Sequence, residues 1–177
     1  MGQFLDLTAS DEPAPGGGAV AAVSVSLAAA LSGMAARLST GQLSDAEDLI
    51  ERAEALRERA APLAQADAAA YGHVIETQRE GGDVKVALSA AADVPLEVAE
   101  VGAEIAALAV RLAEDGNPNL RGDALTAVLL AEAGVRAAVA LVEINLSAAG
   151  TGDRRADQAR ELARSATTAR NAAESGV

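Results

Sequence analysis

An aspartate on an otherwise apolar helical stripe is the residue with the clearest potential for chemistry. Between Leu49 and Val74, the positions spaced by three and four residues are all apolar except Asp67. Burial would raise the pKa of this carboxyl towards the range that suits proton transfer. Tyr71 follows one helical turn later on the same face, where it could cover a pocket over Asp67 or simply pack against the core. An Asp67 that lies slightly off the buried face and is solvated fits the same spacing.

A second acidic residue, Glu132, interrupts the apolar stripe that runs from Leu125 to Leu146. Two carboxylates that face one cavity would suit acid–base chemistry. Arg136 lies one turn after Glu132, however, so the spacing favours an ordinary ion pair within the helix. Nothing in the spacing brings Glu132 to the aspartate of the other stripe.

Two predicted helix starts could present backbone N–H groups to a ligand. Gly16, Gly17 and Gly18 open the first long helix, where the missing side chains allow a ligand to approach the backbone closely. The segment lacks the Gly-Lys-Ser/Thr ending of a phosphate-binding loop, so it is either a ligand contact or a simple turn. At the second start, Asn117 has the pattern of an N-cap, and Asp123 suits the positive end of the helix that follows.

The composition determines which elements hold these residues. Of 177 residues, 46 are alanine, against one Phe, one Tyr and no Trp. Alanine favours helices and the aromatic residues typical of strands are nearly missing, which excludes a β-sandwich or barrel. We predict one all-α domain over residues 1–177, a bundle of about five helices. The predicted helices span 19–38, 44–78, 84–112, 119–150 and 153–173, with Pro95 as a first-turn residue or a kink in the third.

The first predicted helix, which we interpret as a buried helix, carries large apolar residues along one face. Alanine side chains bury little area each, so a monomer would be thinly stabilised, and a homodimer formed through helix packing is expected. The stripe consists of Val20, Val23, Leu27, Leu31, Met34 and Leu38.

Composition also excludes several classes of function. The chain has no cysteine and one histidine, which excludes disulfides, thiolate catalysis, cysteine-based zinc sites and multi-histidine metal sites. With 14 Lys and Arg against 26 Asp and Glu, the net charge of −12 disfavours nucleic acid and anionic membranes. The N-terminus has no basic signal segment and the longest apolar run is too short for a membrane span. We therefore expect a cytoplasmic protein with no membrane partner.

Seven blocks of sequence, in order along nearly the whole chain, resemble the cyclodeaminase/cyclohydrolase family. This family includes the cyclodeaminase domain of formiminotransferase-cyclodeaminase and stand-alone methenyltetrahydrofolate cyclohydrolases. The blocks are Phe4-Leu5, Pro15 to Ala22, Met34, Asp67 to Tyr71, Pro95 to Ala99, Gly116 to Asp123, and Ile144 to Leu146.

The resemblance implies an all-helical, dimer-forming enzyme that acts on a one-carbon adduct of tetrahydrofolate without metal or cofactor. Asp67 matches the proton-transfer aspartate proposed for the family. The three glycines, Asn117 and Asp123 would orient the folate, and an arginine such as Arg37 would bind its glutamate tail. With so few aromatic residues, Tyr71 is the stacking partner expected for the pterin ring.

The resemblance leaves three functions open. Hydrolysis of 5,10-methenyltetrahydrofolate to 10-formyltetrahydrofolate is preferred, because no formiminotransferase domain is attached. The alternatives are formiminotetrahydrofolate cyclodeaminase, which releases ammonia, and a catalytically silent helical binding or assembly protein. The silent alternative rests on departures from the family pattern: Ala19 replaces a serine, Gly122 a serine and Leu141 an asparagine.

Overall fold

Eight α-helices and one short 3-10 helix form the regular structure of residues 2–175, which are the residues that the computed structural model describes. No strand occurs among these residues, so the predicted all-α class is confirmed. The helices are α1 Gly2–Thr8, α2 Gly17–Arg37, α3 Ala46–Ala60, α4 Leu63–Glu80, α5 Val84–Ala91, α6 Asp93–Asp115, α7 Arg121–Ala149 and α8 Arg154–Ser175, with the 3-10 helix at Pro118–Leu120.

The described residues contain more helices than the five or so predicted: the third predicted helix is divided into α5 and α6, and the second into α3 and α4. The second divides at Pro62, whose backbone nitrogen has no hydrogen to donate, and α4 begins at the next residue. Of the described helices, six have 15 residues or more. Pro95 lies in the first turn of α6, where its missing donor breaks no helical hydrogen bond, as predicted.

Helix α7 lies at the centre of the bundle and packs against α2, α6 and α8. Glycines at two contacts allow close approach of the helices. A Cβ at Gly102 of α6 would lie 2.6 Å from Val135 Cγ2, and one at Gly134 of α7 would lie 2.7 Å from Val25 Cγ2. Both separations are shorter than carbon atoms tolerate, so side chains at these points would push α2, α6 and α7 apart.

Most of the large apolar stripe along α2 is exposed, while Leu31 of the same stripe packs partly buried against the core. Val20, Leu27, Met34 and Leu38 are all exposed, by 37–53%. The opposite face enters the core because only small side chains fit the close contacts with α6 and α7. That buried face consists mainly of Ala21, Ala22, Val25, Ala28, Ala29, Ser32, Ala35 and Ala36.

Helices α2 and α7 run antiparallel. The start of α2 lies beside Leu141 and Asn145 near the end of α7. The end of α2 is bonded to the loop before α7, where Asn117 Nδ2 donates to the Leu38 carbonyl at 2.9 Å and the Asn117 N–H donates to Ser39 Oγ at 2.9 Å. The two ends of α2 therefore meet opposite ends of α7.

Two helical segments, Gly17–Arg37 and Pro118–Ala149, are long and apolar enough to cross a membrane by length and composition alone. About half of the most apolar window of each, 56% and 50%, is buried inside the bundle. Core helices of a bundle meet the same criteria of length and composition, so these segments carry no argument for a membrane.

Candidate functional site

A cavity of about 360 Å³ opens where the start of α2 meets α4, α5 and α7. We call it the Asp67 cavity. It brings together five of the residues predicted from the sequence: Asp67, Tyr71 and the three glycines that open α2. The lining consists of Pro13, Ala14, Gly16, Gly17, Gly18, Asp67, Ala70, Tyr71, Ala91, Leu141, Ile144 and Asn145.

Asp67 sits half-buried with its carboxylate at the N-terminal end of α2. Burial raises the pKa of the carboxyl above its ordinary value, and a hydrogen bond donated by the Ala19 N–H opposes that rise only in part. The carboxylate thus accepts a hydrogen bond from one of the free N–H groups at the start of α2, and it still borders the cavity. A group in this position can take a proton from a bound molecule and return it.

Gly18 and Gly17 have different relations to this carboxylate. A Cβ at Gly18 would collide with both carboxylate oxygens of Asp67, so the aspartate can occupy this place only because residue 18 is glycine. A Cβ at Gly17 would meet no atom within 4 Å. Gly18 makes room for a side chain of the protein, whereas Gly17 leaves backbone open to the cavity.

Tyr71 lies at the rim of the cavity and is 46% exposed, one turn of α4 beyond Asp67. Its ring is therefore accessible from the cavity, which suits a flat, partly apolar ligand.

Asn145 is a cavity residue that the sequence predictions missed. Its Nδ2 donates to the Ala91 carbonyl at 3.2 Å, which fixes the amide between α7 and α5. Within residues 2–175 no group donates a hydrogen bond to its side-chain oxygen, which is therefore available to a ligand. The signal was present in the Ile144-Asn145-Leu146 block of the family resemblance, from which no site residue was taken.

Arg37, Asn117 and Asp123 lie at the other end of α2. Arg37 Nη2 is 2.6 Å from Glu54 Oε1, and Asn117 binds the Leu38 carbonyl and caps the 3-10 helix by accepting from the Asn119 N–H at 3.0 Å. At 1.5 Å per residue, this end is about 30 Å from the three glycines. Within one chain the structure does not bring these residues to the Asp67 cavity, and their role in substrate binding stays a prediction.

Glu132 does not share a cavity with Asp67. It is buried between α7 and α8, where Thr167 Oγ1 donates to its Oε1 at 3.3 Å and Arg136 Nη1 lies 3.8 Å away. The predicted pair within the helix is therefore present. Among residues 2–175, no cluster of three or more histidine or acidic side chains could hold a metal ion.

Comparison with known proteins gives three matches, each to a cyclodeaminase or cyclohydrolase that acts on folate or to their family. The model of the formiminotransferase-cyclodeaminase family matches residues 1–164. Over 168 aligned positions, the chain is 36% identical to methenyltetrahydrofolate cyclohydrolase of Methylorubrum extorquens, with 85% of this chain and 80% of that protein covered. The crystal structure of formiminotetrahydrofolate cyclodeaminase from Thermotoga maritima matches with a TM-score of 0.90 at 29% identity, over 99% of this chain and 93% of that one.

Proposed function

The chain belongs to the formiminotransferase-cyclodeaminase family, and from this premise we propose that it is an enzyme that interconverts one-carbon adducts of tetrahydrofolate. The preferred reaction is the hydrolysis of 5,10-methenyltetrahydrofolate to 10-formyltetrahydrofolate. The relative from Methylorubrum extorquens supports this choice, since its identity of 36% extends over most of both chains. The observation that carries the mechanism is the half-buried Asp67 carboxylate, which borders the cavity against Gly18.

The first step that we propose is the addition of water to the methenyl carbon. This carbon lies between N5 and N10 and shares their positive charge. Asp67 accepts one proton from the water as the new carbon–oxygen bond forms, which leaves a neutral tetrahedral carbon. The pKa of Asp67, raised by burial, makes the carboxylate a stronger base than an exposed aspartate.

The second step opens the ring. The protonated Asp67 returns its proton to N5 as the bond from N5 to the tetrahedral carbon breaks. The hydroxyl proton leaves to solvent, and the formyl group remains on N10. The balance is one water consumed and one proton released, and Asp67 ends as the carboxylate with which it began.

Other cavity residues would position the ligand. The open backbone at Gly17 allows the ligand to approach the N–H groups at the start of α2, and the Tyr71 ring offers a surface for the pterin. Asn145, fixed by the Ala91 carbonyl, can accept a hydrogen bond from the ring system. No metal or cofactor has a step in this mechanism.

Formiminotetrahydrofolate cyclodeaminase is the second candidate reaction, supported by the structural match with a TM-score of 0.90. Here N10 adds to the formimino carbon and gives its proton to Asp67, which passes it to the former imino nitrogen. With one further proton from solvent, this nitrogen leaves as ammonia as its bond to carbon breaks, and the positive charge remains on 5,10-methenyltetrahydrofolate. Both reactions pass through a tetrahedral carbon between N5 and N10. The same carboxylate can therefore serve either of them.

We also propose that the protein is a cytoplasmic homodimer with no nucleic-acid or membrane partner. The exposed apolar residues along α2 support the dimer, because three large side chains of the helix and Leu38 at its C-cap are exposed. The net charge of −12 supports the absence of polyanionic partners. Sedimentation velocity would establish the oligomeric state.

The test of function compares the two substrates on the purified protein. Loss of the methenyl absorbance above the uncatalysed rate identifies a cyclohydrolase, and release of ammonia from formiminotetrahydrofolate identifies a cyclodeaminase. If neither substrate is turned over, the protein is the catalytically silent member of the family, and the enzymatic proposal fails. Leu141 lines the cavity, and Ala19 donates its N–H to Asp67. Both replace polar residues of the family pattern, and they would then be the first positions to restore.

A further inference from the structure

We propose that the tail of the substrate leaves the Asp67 cavity along α5 and that Lys85 binds its glutamate carboxylates. The site for the tail is a second cavity of about 390 Å³, which we call the Lys85 cavity. It is lined by residues of α5, the end of α7 and the starts of α6 and α8. The inference rests on the proposed function for its ligand, and on the packing of α5 against α7 for its place.

The first observation is that the Asp67 cavity is small and has no cation. Its volume of about 360 Å³ is near the lower limit of ligand sites, which is about 300 Å³. None of the described residues that line it is a lysine or an arginine. The glutamate of a folate carries two carboxylates, and a chain with a net charge of −12 needs a cation to hold them. That cation must therefore lie beyond the cavity.

The second observation is that α5 and α7 lead from one cavity to the other. At one end of their antiparallel contact, Asn145 Nδ2 donates to the Ala91 carbonyl, and both residues line the Asp67 cavity. At the other end, Lys85 Nζ lies 4.0 Å from the position that a Cβ on Gly150 would occupy. At 1.5 Å per residue, Lys85 is about 9 Å from Ala91 along α5, and Gly150 is about 8 Å from Asn145 along α7. The two estimates agree.

This separation matches the length of the substrate between its reacting carbon and its carboxylates. By standard bond lengths, the benzoyl group and the amide that follows it span about 8 Å from N10 to the nearer carboxylate of the glutamate. Ala90 and Ala91 are neighbours in α5 and line one cavity each, so the two cavities border the same turn of the helix. With the reacting carbon at Asp67, the carboxylates therefore reach Lys85.

The third observation is that Lys85 has a free charge. Its ammonium forms no ion pair within residues 2–175. Arg155, the other cation of the lining, is bound to Asp93 and Asp153 and donates to Ser89 Oγ at 2.8 Å. Arg155 thus neutralises Asp93, the acid of the lining, and the charge of Lys85 is left for a ligand. The Ser89 hydroxyl keeps its own proton and can donate it to a carboxylate.

The position of Lys85 also has a purely structural interpretation. Its ammonium lies at the C-terminal end of α7, where the helix dipole is negative, and this contact alone would stabilise α7. The neighbouring carboxylate of Asp83 accepts from the Lys85 N–H at 3.1 Å and the Val86 N–H at 3.3 Å, so it caps α5. A purely structural lysine would affect the melting temperature and would not distinguish ligands by their tails.

The first experiment removes the tail and the lysine separately. The ligands are 5-formyltetrahydrofolate, a stable one-carbon adduct, and 5-formyltetrahydropteroyl amide, which lacks the glutamate. Calorimetry should show that Lys85→Ala binds the folate about fivefold more weakly than the wild type and binds the amide equally well. Lys85→Arg should restore most of the affinity for the folate. Arg164→Ala removes an exposed cation of α8 with the same change in net charge, and it should alter neither affinity.

The second experiment observes Lys85 directly. Because Lys85 is the only lysine of the chain, reductive methylation with ¹³C-formaldehyde labels one side chain besides the N-terminal amine. Methylation keeps the positive charge of the lysine. Titration with 5-formyltetrahydrofolate should shift the NMR signal of Lys85 until the protein is saturated, whereas the amide should leave the signal in place.

The outcomes separate this inference from the proposed function. If the wild type binds the folate, and Lys85→Ala weakens both ligands equally or neither, the tail site is wrong and the proposed function stands. A lower melting temperature of Lys85→Ala with unchanged affinities assigns Lys85 to the end of α7 alone and also overturns the tail site. A wild-type protein that binds neither ligand and turns over neither folate refutes the proposed function, and the tail site with it.

Discussion

Both ends of α2 have acidic and amide side chains nearby, but the two sets differ in how fully they are hydrogen-bonded. At the start, Asp67 and Asn145 face a cavity with hydrogen-bonding capacity to spare. At the end, Arg37 is bonded to Glu54, and Asn117 is bonded to the Leu38 carbonyl and to Ser39. A polar side chain is available for a ligand only where the fold has not already given it a partner. Within one chain, the start of α2 is the end equipped for chemistry.

The electrostatics of the two ends differ in sign. Burial raises the pKa of Asp67, so the fold disfavours its charge. The pKa of Glu54 is lowered, first by its hydrogen bond to Arg37 and then by the bond to Arg57, so the fold favours its charge. One carboxyl is set to exchange protons and the other to stay ionised.

The largest expected effect is the loss of activity in Asp67→Asn. Because the amide cannot accept a proton, kcat for methenyltetrahydrofolate should fall by about 100-fold or more. The hydrogen bond from the Ala19 N–H can be kept by the amide oxygen, so the fold should persist. Asp48→Asn, an exposed aspartate of α3, is the control and should keep full activity. A normal kcat in Asp67→Asn would remove the start of α2 from the chemistry.

The next effect distinguishes two adjacent glycines. Gly18→Ala should displace the Asp67 carboxylate, with a cost of about 1–3 kcal/mol in the free energy of unfolding and a large loss of kcat. The Cβ added in Gly17→Ala would contact no protein atom, so the melting temperature of this variant should be unchanged. Its KM should rise, because the Cβ covers backbone that is open to the ligand. Thermal unfolding and steady-state kinetics on both variants measure the contrast. Equal behaviour of the two would mean that residue 18 does not make room for the aspartate.

A smaller effect is expected at Tyr71. Because its ring is 46% exposed, Tyr71→Ala should leave the melting temperature nearly unchanged. Loss of an aromatic contact of about 0.5–1.5 kcal/mol should weaken substrate binding by about 2- to 12-fold. Tyr71→Phe should bind like the wild type if the ring, and not the hydroxyl, makes the contact. Titration with folate on the Asp67→Asn background gives the affinities, and identical values for all three would exclude Tyr71 from the site.

The smallest effect is a pH dependence of opposite sign at the two ends. The pKa of Asp67 is raised on folding, so ionisation costs stability: relative to Asp67→Asn, the wild type should lose stability as pH rises from the unfolded value of 3.8 through the raised pKa. The pKa of Glu54 is lowered, so its contribution is present above 4.5 and is lost as pH falls through the lowered pKa. Glu54→Gln should therefore be less stable than the wild type at neutral pH and equal to it in acid.

Melting temperatures of the three proteins between about pH 3 and pH 8 test this difference in one series. The difference between Asp67→Asn and the wild type should grow with pH, whereas Glu54→Gln should fall behind the wild type. If both variants deviate in the same direction, the two carboxyls share one environment, and the contrast between the ends of α2 fails.

The sequence predicted the class of fold and one of the two ends well, for identifiable reasons. Alanine content and the helical period made the all-α bundle evident, and a single charge on an apolar stripe identified Asp67. The helical period places the large residues of α2 on one face but does not say which way that face points, and four of the six are exposed. Pro62 was overlooked as a break because the apolar spacing continues across it.

The assembly of the site was harder to predict than its members. The contact of Gly18 with Asp67 joins residues on α2 and α4, and no local pattern records it. Asn145 has an ordinary polar type near the end of a long helix, and only the family resemblance marked its block. Its place at the cavity required knowledge of the packing of α7 against α5. Conversely, Arg37 was a plausible ligand by type, and its pairing with Glu54 of α3 required knowledge of the packing.

The close seams between α2, α6 and α7 reverse the usual ranking of core substitutions. Ala22, Ala99 and Ala131 are fully buried. Because a methyl side chain loses no rotamer freedom on folding, this core buries its surface at a low cost in side-chain entropy. At such positions the only smaller residue is glycine, so truncation removes a single methyl group. A larger side chain has no space, because even a Cβ added at Gly102 or Gly134 would lie within 2.7 Å of a valine methyl group. The stability of variants substituted at these helix contacts should therefore depend mainly on the side-chain volume that is added, and very little on the hydrophobic area that is removed.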